Sequence, residues 1–224
     1  MAAHLADDVP AGHLHGSDRG AARPDVVPAA IAHCRAEYPD LRVLLSEDQT
    51  GDAIARLKAG ELDVALIYQY NLLPGVRDAG IKVEHLIDEP MLAVLPAGFP
   101  AGDGPLALAE LSERPWIAAH RDDELRPMLE RACALAGFEP QLDFTSSDYT
   151  VVFALVEASL GVSLVPRLAL ESMSTDIQLR AITQPQLSRK VSVAFRAGSG
   201  RHPAIATVIG ALREVAAEVV AEWD

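Results

Sequence analysis

Residues 62–68 read LDVALIY, a nearly unbroken apolar run of strand length. A strand with one face in water alternates apolar and polar positions. A strand with no polar rhythm is covered on both faces, as in a parallel sheet flanked by helices. This run therefore restricts the chain to an α/β architecture.

The surrounding sequence agrees. HLHGS at 13–17 is a weak first strand, and Pro24 opens a helical pattern. Val26, Val27, Ala30, Ile31 and Cys34 fall at helical spacing, and the pattern ends before Pro39. LRVLLS at 41–46 is a strand. Thr50 or Asp52 caps a short helix that Gly60 closes. The first part thus reads βαβαβ. Two short strands are expected at 83–86 and 91–95, on either side of Asp88-Glu89-Pro90. The second part repeats the grammar, with helices over 106–111 and 125–136 and strands over 116–119 and 141–145. A helix over 151–160 is capped by Ser147 or Asp148 and stops at Gly161, ahead of a buried strand at 162–165. Strands over 179–182 and 190–195 precede a final helix from Pro203 whose apolar face includes Ile205, Val208, Ile209, Leu212 and Val215. Two similar α/β lobes follow, with the chain crossing between them near 87–92 and 183–193. The expected division is a leader at 1–11, a first lobe of 12–88 with 193–224, and a second lobe of 89–192. A cleft between such lobes is the expected ligand position.

Among the 224 residues, 32 acids against 19 lysines and arginines leave a net charge of −13, which repels a phosphate backbone. No run of eighteen apolar residues is present, and the first residues lack the basic and apolar regions of a secretory signal. A cytoplasmic location with no membrane association is expected. The two cysteines, Cys34 and Cys133, belong to no metal or redox motif and read as buried thiols. His13 and His15 have an H-x-H spacing without further ligands, so no metal and no cofactor are expected. Phosphate-cradling loops, nucleophile elbows and zinc-protease motifs are missing, and no enzymatic activity is expected. Asp122-Asp123-Glu124 reads as a solvated face or a favourable first helical turn.

Several segments carry a resemblance: VVPAAIAHCRAEYPDLRVLL, RLKAGELDVALIY, DEPMLAVLP, RPWIAAHRDDELRPMLERACALAGFEP, SSDYTVVFALVEASLGVSLVPRLAL and SRKVSVAFRAGS. Together they resemble the effector-binding domain of LysR-type transcriptional regulators over about residues 12–215. GELDVAL and ALVEASLGVSLVP are the most specific. The resemblance implies a type 2 periplasmic-binding-protein-like fold, two α/β lobes joined by two crossover strands. It implies a small-molecule effector in the interlobe cleft, with Ser17, Asp18, Gln49, Thr50, Tyr68, His120, Asp148, Tyr149 and Val165 at the matching places. Of these, Thr50, Tyr68 and Asp148 are expected to share one pocket. The resemblance also implies a homodimer that pairs the first helix and the strand after it with the 125–136 helix, or its neighbour, of a second copy. The wide apolar stripe of that first helix, Val26 to Ala32, agrees with such a cover.

Two departures stand out. HLHGS replaces an apolar first strand, and at 17–19 Asp18 opposes an anion that Ser17 and Arg19 would hold. The resemblance also implies a helix-turn-helix that nothing before residue 12 can form. The expected contact with DNA therefore runs through a domain this chain does not contain. The alternative function is a free solute-binding protein of a transporter.

Overall fold

The computed structural model describes residues 11–16, 26–100, 102, 104–172 and 176–223. Residues 1–10 of the expected leader and the Pro24 start of the first helix lie outside them, while residue 11 already belongs to the first strand. The first lobe is built on β1 (Ala11–Gly16), α1 (Val26–Glu37), β2 (Arg42–Glu47), α2 (Thr50–Ala59) and β3 (Val64–Tyr70). The long β4 (Ile81–Pro96) leaves it, and β10 (Ser188–Arg196) and α5 (Pro203–Ala221) return to it. Its sheet runs β2-β1-β3-β10-β4, with β1, β2 and β3 parallel and β10 antiparallel to both neighbours. The apolar run at 62–68 behaves as its composition demands. Val64, Leu66 and Tyr68 join the core under α1 and α5, while Ala65 and Ile67 pack with Ala53 and Leu57 of α2 on the other face.

The second lobe comprises β5 (Leu106–Ala107), β6 (Pro115–Ala118), α3 (Leu125–Leu135), β7 (Gln141–Thr145), α4 (Tyr149–Glu157), β8 (Ser163–Pro166) and β9 (Ile177–Gln184). Here β4 pairs with β8 and β9, and β9 with β5. β6 and β7 pair in parallel, and a bridge between Trp116 and Val162 ties β6 to the residue that precedes β8.

Four expectations need correction. Instead of two strands, β4 is a single strand of 16 residues. Pro90 cannot donate to a ladder, but it sits where β4 changes partners. Beyond it, the Met91 N–H is taken by the Leu187 carbonyl at 3.0 Å. The segment 106–111 is helical only in its second part: Leu106 and Ala107 pair with β9, and Leu108–Leu111 form one 3-10 turn whose start is closed by the Ala107 N–H donating to the Glu110 carboxylate. Gln49, in extended conformation, caps α2, and Thr50 is its first helical residue. Helix α4 ends at Glu157 rather than at residue 160, with Ser159 left-handed at φ 59°. Gly161 then passes so close to β6 that a Cβ would lie 2.8 Å from the Pro115 carbonyl oxygen.

Where β4 and β10 cross between the lobes, Glu89 faces Arg189 in register. Their side chains are fully buried, with Arg189 Nε donating to Glu89 Oε1 at 2.5 Å. Glu89 Oε2 accepts the Leu168 N–H, in the turn after β8, at 2.9 Å. The guanidinium lies 4.3 Å from the Tyr68 ring centroid at the end of β3. Burial works against the Arg189 charge; Glu89 outweighs it, with the phenols of Tyr70, Tyr149 and Tyr68 adding to the effect. Burial also pushes the Glu89 carboxyl upward, against the pull of Arg189 and the Leu168 N–H. Removing one partner strands a buried charge, whereas removing both does not. Glu89→Leu is expected to lower stability by about 3–5 kcal/mol, and Glu89→Leu with Arg189→Met to recover most of it. Urea denaturation of the two variants checks this; a double variant as unstable as the single one would contradict it.

Candidate functional site

The carboxyl ends of the parallel strands from both lobes face one another. From the first lobe comes the loop after β2, leading into α2. From the second come the loops after β6 and β7, leading into α3 and α4. Between them lies a cavity of about 460 Å³ lined by Glu47, Asp48, Gln49, Asp52, His120, Asp122 and Ser147. This is the crevice beyond the strand ends where open α/β sheets take ligands.

Local chemistry holds the second-lobe wall in place. Asp123 is buried; one of its carboxylate oxygens accepts the Leu125 N–H at 2.8 Å and the other the Ser147 hydroxyl at 3.0 Å. The Ser147 Oγ accepts the His120 N–H at 3.2 Å. Asp148 caps α4, its carboxylate accepting the Thr150 N–H at 2.8 Å. On the opposite wall, Asp48 is bound by Arg56 of α2, which also reaches Glu61. The cavity therefore presents four carboxylates, a serine hydroxyl, an amide and one imidazole, with no lysine or arginine among its described lining residues.

The expected site residues divide. Gln49 and His120 line the cavity together. Thr50 and Asp148 lie one residue away from the wall, the first buried at the start of α2 and the second used as a cap. Tyr68 is buried beneath Arg189, Tyr149 stacks on Phe153, and Val165 is core in β8. Thr50, Tyr68 and Asp148 themselves are not among the lining residues; Gln49 and Ser147, the neighbours of Thr50 and Asp148, are. Ser17 and Asp18 lie outside the described residues. The residues that sequence reasoning missed are Glu47, Asp48, Asp52, Asp122 and Ser147. The loop at 146–149 signalled Ser147, whereas Asp122 was hidden in an acidic run read as solvated surface. Within that run, Asp122 lines the cavity and Asp123 is structural.

Its third member, Glu124, is half-buried beside Asp123. Burial, reinforced by the Asp123 charge, pushes its carboxyl up to about 7 from an ordinary 4.5. Because the folded pKa lies above the unfolded one, the fold disfavours the ionised form. The penalty is absent below pH 4.5, grows to about pH 7 and is complete above it. Glu124→Gln is therefore expected to change stability little at pH 4.5 and to add about 1–2 kcal/mol at pH 8, allowing for solvent at the partly exposed carboxyl. Thermal unfolding of both proteins at the two pH values is the measurement; a gain confined to acid pH would refute it.

Residues 19–217 match the family model described as the LysR substrate binding domain. A probable hydrogen peroxide-inducible genes activator of Mycobacterium avium is 29% identical over 196 residues, 86% of this chain and 61% of the relative. The chain thus spans about three-fifths of that protein. Among solved structures, the Corynebacterium glutamicum OxyR C206 mutant is 27% identical with a TM-score of 0.76, over 93% of this chain and 64% of its own. The C-terminal domain of a probable LysR family transcriptional regulator from Rhodococcus sp. RHA1 is 25% identical with a TM-score of 0.72, over 90% and 97%. These relatives regulate transcription and give the transporter alternative no support. The family match covers both lobes and the strands that join them, so the chain belongs to the LysR substrate-binding domain family.

Proposed function

We propose that this chain is the ligand-sensing module of a LysR-type transcription regulator. A small effector fills the interlobe cavity, and a DNA-reading domain joined to the module carries the response. The module itself is not an enzyme and works in the cytoplasm. The observation that carries this reading is the 460 Å³ cavity walled by strand-end loops of both lobes. A ligand there touches both walls at once, so its affinity depends on the angle between the lobes. The lobe boundaries at 88/89 and 192/193 belong to this proposal; β4 exchanges partners just beyond Glu89.

The lining favours a neutral or cationic effector over an anion. Asp48 is already paired with Arg56, and the carboxylates of Glu47, Asp52 and Asp122 repel a second negative charge. Peroxide chemistry on the chain's own thiols is disfavoured, although the name of the Mycobacterium avium relative points to peroxide. Cys34 lies in the core under α1 and Cys133 in the second-lobe core, both fully buried. Burial pushes their thiols up to about 11 and about 12. The reactive thiolate is then scarce at neutral pH.

Pairing in solution is part of the reading. In α1, Val26, Val27, Ala30 and Cys34 are buried within the chain, while Ala32 and the adjacent β2 residue Leu45 are exposed. A second copy would cover that face.

A thermal-shift screen of amines, uncharged metabolites and carboxylates tests the site. A neutral or amine ligand is expected to raise the melting temperature, and Asp122→Asn with Ser147→Ala to weaken it at least tenfold. Tight binding of a carboxylate, unaffected by that pair, would overturn the assignment. In a parallel assay, native protein held in millimolar hydrogen peroxide is expected to keep two alkylatable thiols on later denaturation. Loss of either thiol would restore the peroxide reading.

A further inference from the structure

We infer that the first lobe carries an anion site, remote from the cleft, that takes the phosphate group of a small organic phosphate. It lies where β10 turns into α5, six residues along β10 from Arg189 and roughly 20 Å from the crossing at ~3.3 Å per residue. A cavity of about 240 Å³ there is lined by Lys82, Glu84, Phe195, Gly198, Gly200, Arg201, Ala206, Ile209 and Arg213.

Its charge balance is unlike that of the rest of the chain. Three cations surround one carboxylate in a protein whose net charge is −13. Glu84 is held by Lys82 at 2.6 Å and by Arg213, and these contacts keep its carboxyl below the usual range. Arg201 is exposed and has no ion-pair partner among the described residues. With Glu84 compensated, two positive charges remain, which match a phosphate monoester dianion better than a single carboxylate.

The wall behind these charges is fixed. Ala197 N–H donates to the Gly80 carbonyl at 2.8 Å, Ser199 Oγ to the Arg196 carbonyl at 2.9 Å and His202 N–H to the Ser199 carbonyl at 2.9 Å. Gly200 lies against the Phe195 ring so closely that a Cβ would come within 2.6 Å of it. Lys82 stands 5.5 Å from the centroid of the same ring. The cavity thus pairs a cationic rim with an apolar floor of Phe195, Ala206 and Ile209, which suits a phosphate bearing a small organic group.

Phenyl phosphate is the probe, compared with inorganic phosphate and with sodium chloride at equal ionic strength, by calorimetric titration of the full chain. Saturable binding of phenyl phosphate is expected, tighter than that of inorganic phosphate and weakened at least tenfold in Arg201→Gln with Arg213→Gln. Arg201→Gln alone, which breaks no ion pair, is expected to weaken it several-fold. Asp122→Asn, in the cleft, is expected to leave it unchanged, so this site stands or falls apart from the effector cavity. Equal binding by wild type and the double variant, no saturation above the chloride control, or loss of binding in the cleft variant instead would each overturn the proposal.

Discussion

Where the two lobes meet, the apolar core common to both encloses one buried ion pair. Glu89 and Arg189 sit opposite each other on the two strands that cross between the lobes, with neither side chain exposed. Desolvating two charges is expensive, and their attraction offsets the cost only when the geometry is good and the remaining lone pairs are met. Here the carboxylate reaches into the second lobe through the Leu168 N–H, and the guanidinium reaches the first through the Tyr68 ring. A pair anchored on both sides fixes where the strands cross. An apolar pair of the same volume would pack there without naming a partner for either lobe.

The cleft follows from that crossing. Once the sheets are set, the carboxyl ends of β1, β2 and β3 point toward the ends of β6 and β7, and the intervening loops close a cavity. The loops differ in how they are held. Asp123, Ser147 and Asp148 are tied to backbone and to each other, whereas Glu47, Asp52 and Asp122 face the space between the lobes. The rigid set supplies shape and the free carboxylates supply charge. The buried thiols of Cys34 and Cys133 take no part, because each fills core volume in a different cluster.

Much of the fold was legible in the residues. The double-sided burial of β3 follows from LDVALIY, because from Val64 to Ile67 no position in that run suits water. The left-handed Gly60 at the end of α2 and the Asp148 cap of α4 were also readable, since both depend on contacts within a few residues. Two of the failures share one cause. At Pro90 the local rule calls for a break, but β4 continues because β10, β8 and β9 hand it from one sheet to the next. At 106–107 a helical pattern yields to pairing with β9, a segment some seventy residues away, and only 108–111 keep a helical turn.

The site divides the same way. Sequence determined that a two-lobed α/β chain would place loops at a cleft, and it located Gln49 and His120 in those loops. It did not decide which side chains face inward. Thr50, Tyr68 and Asp148 are within three residues of strand ends, yet one is buried at a helix start, one lies under an arginine and one is a cap. Asp122 and Asp123 are chemically identical neighbours; one faces the cavity and the other is buried on Ser147. Hydrophobic rhythm and capping act over a few residues, so the chain itself encodes them. The direction of a loop side chain is set by groups brought together from distant parts of the chain, and only the folded molecule supplies those.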